Sequence, residues 1–206
     1  MGDRDMNAFV INLAERTDRM DLFRENKLPF EVKRFDAIKT DQGWIGCTQS
    51  HFSILQIYDE LPLLILEDDV LFTEPWSVVE EAMRQLPDDW DALWLGATLC
   101  IPQERYSENL FRLIGGVCCH AIIYNSKRMI DYIITNHVEF FNTCLGRPTI
   151  DVFYCDDVQR KFNCFLTFPY VATQRAGYSD IEKAGVDYSG IINNPTLFNL
   201  NNNASE

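Results

Sequence analysis

The stretch Leu63-Leu64-Ile65-Leu66-Glu67-Asp68-Asp69-Val70 runs four aliphatic residues straight into three carboxylates, and Val70-Leu71-Phe72 then resumes the apolar pattern. A continuous apolar run of this length predicts a strand buried on both faces. Three adjacent acids at its C-terminal end repel one another, and burying each unpaired charge would cost on the order of several kcal/mol. A hard cation with oxygen ligands, Mg²⁺ or Mn²⁺, is a common way to neutralise such a corner. A solvated strand-to-loop corner is the plainer alternative.

Outward from this strand, the pattern alternates. Asn7 to Asn12 and Phe30 to Phe35 read as earlier strands, and Trp90 to Gly96 as a later one. Helical patterns lie between them, one following Asn12 to Arg19 and running through about Glu25, one from about Trp44 to Glu60 and one from Pro75 to about Leu86. Strand-helix alternation implies an α/β fold: a mostly parallel sheet with helices on both faces. Residues 98–109 read as a surface loop. Phe111 to Ile114 and Val117 to Tyr124 read as strands joined by a Gly115-Gly116 turn, giving a short antiparallel portion. Asn125-Ser126 caps a helix from Lys127 to about Asn136, and Thr149 caps another that reaches about Phe162. Short strands around Pro169 and an irregular segment, Gln174 to Ile181, complete the expected domain, residues 1–192. Residues 193–206 are rich in Asn and read as a loose tail.

Binding sites in such sheets lie at the carboxyl ends of the strands. Asn12, Asp36 and Glu67-Asp68-Asp69 all fall there. Arg16 and Arg19 follow the first strand and share a helix face. They suit a nucleotide phosphate, or equally a solvated face paired with Asp18 and Asp21. His51, with Ser50 beside it, lies on the inward stripe Trp44, Cys47, His51, Leu55, Tyr58, where a satisfied core histidine is the ordinary outcome. Asp151 sits in a first helical turn, where it can serve chemistry or merely the helix dipole.

The composition sets limits. At 206 residues and 47% hydrophobic, the chain can form one full core. A net charge of −13 opposes binding to nucleic acid, and an anionic ligand would need a local basic pocket or a bridging metal. No 18-residue apolar run and no signal-peptide core is present, so a cytoplasmic protein without a transmembrane segment is expected. A membrane-bound substrate would still bring it to a membrane surface. Seven cysteines without a CxxC pair read as reduced thiols.

Several segments together resemble glycosyltransferase family 25, which includes lipopolysaccharide-type glycosyltransferases and collagen galactosyltransferase domains. They are Val10-Ile11-Asn12-Leu13 with Arg16 and Arg19, Gly46-Cys47-Thr48-Gln49-Ser50-His51, and Leu64 to Val70. Further on, Leu93-Trp94-Leu95-Gly96, Gly116 with His120-Ala121 and Tyr124, Pro148-Thr149-Ile150-Asp151, and Gln174 with Ser179-Asp180-Ile181 follow in the same order. The resemblance covers about residues 7–182. It implies a GT-A type, Rossmann-like fold and a nucleotide-diphospho-sugar donor. It also implies a glycan, lipid-linked or protein hydroxyl acceptor, an Mn²⁺ or Mg²⁺ cofactor, and inversion at the anomeric carbon.

By this resemblance Asp69, assisted by Glu67, holds the metal. Asn12, Arg16, Arg19, Asp36, Ser50, His51, Asp68 and His120 contact the donor. Asp151, or else Asp180, takes the acceptor proton. If the strand continues past Glu67, alternation places Glu67 and Asp69 on one side and Asp68 on the other. A catalytically inactive domain of the same fold and a metal-dependent phosphohydrolase are the competing readings.

Overall fold

Leu63, Leu64, Ile65 and Leu66 are all fully buried, and they divide between two cores. Leu63 and Ile65 pack on one face of the sheet with Phe52, Ile54 and Leu55. Leu64 and Leu66 pack on the other with Phe23, Val79 and Ala82. A strand covered on both faces has no reason to alternate, which explains the uninterrupted apolar run.

The computed structural model describes residues 6–57, 60–144, 149–179, 181, 183–187 and 198–199. The chain runs β1 (Asn7–Asn12), α1 (Thr17–Phe23), a 3-10 turn (Arg24–Asn26), β2 (Lys33–Asp36), α2 (Gly43–Ile57), β3 (Leu63–Glu67), β4 (Val70–Phe72) and α3 (Trp76–Arg84). Then come β5 (Ala92–Trp94), β6 (Thr98–Leu99), β7 (Gln103–Arg105), β8 (Leu110–Arg112), β9 (Gly116–Val117), β10 (Ala121–Tyr124) and α4 (Lys127–Thr143). After α5 (Ile150–Phe153), a π turn (Tyr154–Val158) and α6 (Gln159–Lys161) follow β11 (Cys164–Thr167), β12 (Ala172–Gln174), β13 (Gly177–Ser179), β14 (Ala184–Val186) and β15 (Phe198–Asn199).

The main sheet has nine strands in the order β15-β7-β8-β11-β5-β10-β3-β1-β2. Following the pairings across it, seven strands point one way and β8 and β10 run against them. This is a Rossmann-like α/β sheet with a short antiparallel portion. β1 lies between β2 and β3, so the chain leaves β1 to one side and returns on the other. A crevice therefore opens beyond the carboxyl ends of β1 and β3, at the switch point where such folds bind ligands.

Some local expectations shift. Gly115-Gly116 is not a hairpin turn: β8 pairs with β7 and β11, while β10 inserts between β3 and β5. Residues 98–109 contain β6 and β7, whose partners lie farther along the chain. Gly177–Ser179 pairs antiparallel with Ala184–Val186 as β13 and β14, although the sequence predicts an irregular segment from Gln174 to Ile181. α4 continues seven residues past Asn136, because Phe140 and Phe141 pack against the core and reward the extra turns. Ser126 caps it as expected, accepting from the Met129 amide at 3.2 Å. Tyr58, on the expected α2 stripe, lies outside the described residues. So does most of the Asn-rich tail, although Phe198–Asn199 pairs with β7.

Candidate functional site

β3 stops at Glu67, and Asp68-Asp69 form a turn before β4. Strand alternation therefore ends one residue too early to orient Asp69. Instead, each carboxylate of the corner is met by a different part of the chain. Glu67 Oε1 lies 3.1 Å from His51 Nε2 and accepts from the Cys47 thiol at 3.6 Å, both on α2. Asp68 accepts from Asn12 Nδ2 at 2.7 Å and from Arg19 Nη1 at 2.7 Å. Asp69 Oδ2 accepts from Gln174 Nε2 on β12 at 3.3 Å, while its Oδ1 is buried with no hydrogen-bond partner.

The electrostatics follow from these partners. Burial alone would raise the Glu67 carboxyl, but the bond and charge of His51, then His120 and the Cys47 thiol, outweigh it and hold the group below its usual range. Burial raises Asp68 despite Arg19 and Asn12. Asp69 is pushed up to about 7, first by burial and then by the charges of Glu67 and Asp68. Its orphaned oxygen is the clearest sign in the corner of a missing positive partner.

These groups form the floor of a cleft of about 990 Å³. Its walls come from the β1–α1 loop, the start of α2, the segment around Cys118 and the β12–β13 region. Arg16, Arg19, Lys39, Arg175 and Lys183 line it together with seven acids, Glu15, Asp18, Asp41, Glu67, Asp68, Asp69 and Asp151, and the first four cations are ion-paired. Cys118 adopts a left-handed backbone (φ 83°), unusual for a residue with a side chain, and its carbonyl is held by the Trp94 indole at 3.2 Å. Burial pushes its thiol up to about 12.

The expected site residues separate into groups. Asn12, Arg16, Arg19, Asp68, Asp69, Glu67 and Asp151 all line the cleft. Asn12 is a hub, donating to Asp68 and to the Arg16 carbonyl and accepting from Arg34 Nε at 3.0 Å. Arg16 turns back on Asp18 through two bonds, at 3.0 and 2.9 Å. Arg19 also donates to the Tyr178 carbonyl at 2.6 Å, tying α1 to the hairpin. Asp151 accepts from the Thr149 hydroxyl and from the Val152 amide. Thr149 thus spends its hydroxyl on Asp151 rather than on capping the helix backbone.

Four expected donor contacts fall elsewhere. Asp36 is exposed and paired with Arg34 at 2.6 Å, off the cleft lining, because β2 is the edge strand and its end faces solvent. Ser50 is fully buried; it donates to the Gly46 carbonyl and accepts from the Ile38 amide, stitching α2 to the loop after β2. His120 is also fully buried, with Nε2 3.3 Å from the Ala172 carbonyl. Burial lowers its pKa, against the opposing charge of Glu67, and the ring packs beneath the floor. His51 is likewise buried and reaches the cleft only through Glu67. Asp180 lies outside the described residues.

Gly46 makes the α2 contact possible: a Cβ there would come within 2.2 Å of the Ile38 carbonyl oxygen. Sequence reading missed Gln174 and Arg175 as neighbours of Asp69, the latter donating its backbone amide to the Asp69 carbonyl at 2.7 Å. It also missed the cluster of Cys47, His51 and Glu67 ligand atoms, all within 4.8 Å of one another. The one available signal was the four-residue spacing of Cys47 and His51.

No protein-family model matches the chain, and no curated protein matches it. Among solved structures it is similar to the apo-form glycosyltransferase GlyE of Streptococcus pneumoniae TIGR4, at 9% identity and a TM-score of 0.50. That likeness covers 78% of this chain and 45% of GlyE, so the chain spans under half of that protein. A197 from STIV aligns over 89% of this chain and 93% of its own, at 12% identity and a TM-score of 0.49. The likeness to GlyE is one of fold. No helix among the described residues is long and apolar enough to cross a membrane.

Proposed function

We propose that the chain is a metal-assisted glycosyltransferase using a nucleotide-diphospho-sugar donor. The observation that carries this reading is Asp69 Oδ1, a buried carboxylate oxygen without a partner, beside two further acids on the floor of a cleft rimmed by cationic side chains. The glycosyltransferase-like fold and the ordered resemblance to family 25 support it. Asp69 would hold Mn²⁺ or Mg²⁺, with Glu67 the second candidate ligand. The bound cation would supply positive charge against a departing diphosphate.

The chain's own residues would do the rest. Asp68, Asn12 and Arg19 fix the turn that carries Asp69. Arg16 and Arg175 contribute local positive charge toward the phosphates. An acceptor hydroxyl would attack the anomeric carbon as the sugar–phosphate bond breaks, its proton passing to the Asp151 carboxylate, with inversion. The acceptor would be a glycan, lipid-linked or protein hydroxyl.

A thermal-shift panel of nucleotide-sugars with and without Mn²⁺ tests the reading, since a ligand at about 100 times its Kd stabilises by about 2.7 kcal/mol. A Mn²⁺-dependent upshift that disappears in Asp69→Asn is expected. Failure of every nucleotide-sugar to shift the protein in the presence of Mn²⁺ would overturn it.

A further inference from the structure

Beneath the cleft floor, three chemically different ligands converge. Cys47 and His51 are one helical turn apart on α2 and project to the same side. Glu67, the last residue of β3, comes to meet them. Its Oε1 is 3.6 Å from Cys47 Sγ and 3.1 Å from His51 Nε2, and all three ligand atoms lie within 4.8 Å of one another.

These separations match the edges of a coordination tetrahedron. With zinc–sulfur, zinc–nitrogen and zinc–oxygen distances of about 2.3, 2.0 and 2.1 Å, tetrahedral angles put sulfur and oxygen about 3.6 Å apart, and nitrogen and oxygen about 3.4 Å apart. The third edge, from Cys47 Sγ to His51 Nε2, spans up to 4.8 Å here and would close to about 3.5 Å around the ion. His51 is fully buried, whereas Cys47 and Glu67 line the cleft. An ion held by the three would therefore have its fourth position on the cleft side. A thiolate and an imidazole select a thiophilic ion over Mg²⁺ or Mn²⁺.

We propose that Cys47 Sγ, His51 Nε2 and Glu67 Oε1 form a three-ligand site for a thiophilic divalent cation of the Zn²⁺ class, with a fourth position open to the cleft. The site shares Glu67 with the hard-cation site proposed at Asp69, but Cys47 and His51 belong to it alone, and it does not depend on the transferase reading. Binding replaces the Cys47 S–H bond with a sulfur–metal bond and releases that proton to solvent, so one or more protons leave per ion. Coordination through Nε2 moves the His51 ring proton to Nδ1, which has no hydrogen-bond partner among the described residues, so that buried N–H counts against the affinity.

The test uses the full chain, freed of metal. Titration with Co²⁺ should give a thiolate-to-cobalt charge-transfer band and tetrahedral visible absorption, reversed by one equivalent of Zn²⁺. Calorimetry should show 1:1 Zn²⁺ binding, weakened about 100-fold or more in Cys47→Ser and preserved in Asp69→Asn. Co²⁺ binding without the thiolate band, or Zn²⁺ affinity unchanged in Cys47→Ser, would overturn the proposal. Should Cys47→Ser fail to fold, alkylation of the unsubstituted protein with peptide mapping decides. Protection of Cys47 by one equivalent of Zn²⁺ supports the site, and unprotected labelling overturns it. Loss of Mn²⁺-dependent nucleotide binding in Asp69→Asn alone bears only on the transferase reading.

Discussion

Asn12 Nδ2 donates to Asp68 Oδ2 at 2.7 Å, joining the end of β1 to the turn after β3 across 56 positions of sequence. Arg19 holds the other oxygen of the same carboxylate. The turn is therefore anchored from α1 and β1 together, and Asp68 acts as their common acceptor. Asp68→Ala would strand the buried Asn12 amide and leave Arg19 without its carboxylate. Loss of one partner of a buried pair costs about 3–5 kcal/mol, and Arg19 is partly solvated, so a loss of about 2–3 kcal/mol is expected. Urea unfolding measures it; a change within about 0.5 kcal/mol would show that Asp68 is not an anchor.

Asp69 should behave in the opposite way. Its carboxylate is crowded by Glu67 and Asp68 and has one oxygen unpartnered. Asp69→Asn removes the like-charge repulsion at nearly constant volume. The metal-free variant should be as stable as the parent or more so, by about 1 kcal/mol. Its Mn²⁺-dependent nucleotide binding should be lost. A destabilised variant that still binds nucleotide would refute both halves.

Gly46→Ala places a Cβ within 2.2 Å of the Ile38 carbonyl oxygen, a backbone atom that cannot swing aside. Overpacking of this kind costs about 1–3 kcal/mol. The displacement would push the start of α2 off the floor, so both stability and any Zn²⁺ binding at Cys47 should fall. Retention of both would mean that α2 has more freedom than the hydrogen bond from the Ile38 amide to Ser50 suggests.

In the core, Leu64→Ala leaves a cavity in a strand covered on both faces. A loss of about 2–5 kcal/mol is expected from chemical denaturation. Ile57→Ala, at the exposed end of α2, is the control and should change stability by about 0.5 kcal/mol or less.

All seven cysteines are free thiols. Burial pushes Cys155 up to about 12, and raises Cys119 and Cys164 as well, so little reactive thiolate forms on them at pH 8. Cys100 is exposed. Iodoacetamide at pH 8 should label Cys100 first and Cys119 and Cys164 last, read by peptide mass mapping. Early labelling of Cys164 would contradict its position within the sheet.

The apolar run of β3 was legible because burial on both faces leaves a clear mark in composition. The carboxyl-end location of Asn12 and Asp69 followed from strand-helix alternation, whereas the pairing of Asp68 with Arg19 across 49 positions had no local sign. The roles of Ser50 and His120 were not legible, since a buried polar side chain and a ligand-facing one look alike until its partners, Ile38 and Ala172, are known. The β13–β14 hairpin carries little hydrophobic pattern because its residues are exposed or half-buried. The reversed direction of β10 depends on pairings with β3 and β5, which no local spacing encodes. Strand alternation also misjudged the corner itself, because β3 ends at Glu67.

The partners of the three acids lie at very different distances along the chain: His51 is 16 residues from Glu67, Asn12 is 56 from Asp68, and Gln174 is 105 from Asp69. Contacts of wide sequence separation form late and slowly. As the chain emerges from a ribosome, Glu67 can find its partner almost at once and Asp68 soon after. Asp69 must wait until Gln174 has been synthesised. Until then the corner is an acidic turn whose last carboxylate lacks the one side-chain donor it has among the described residues, open to whatever cation reaches it first.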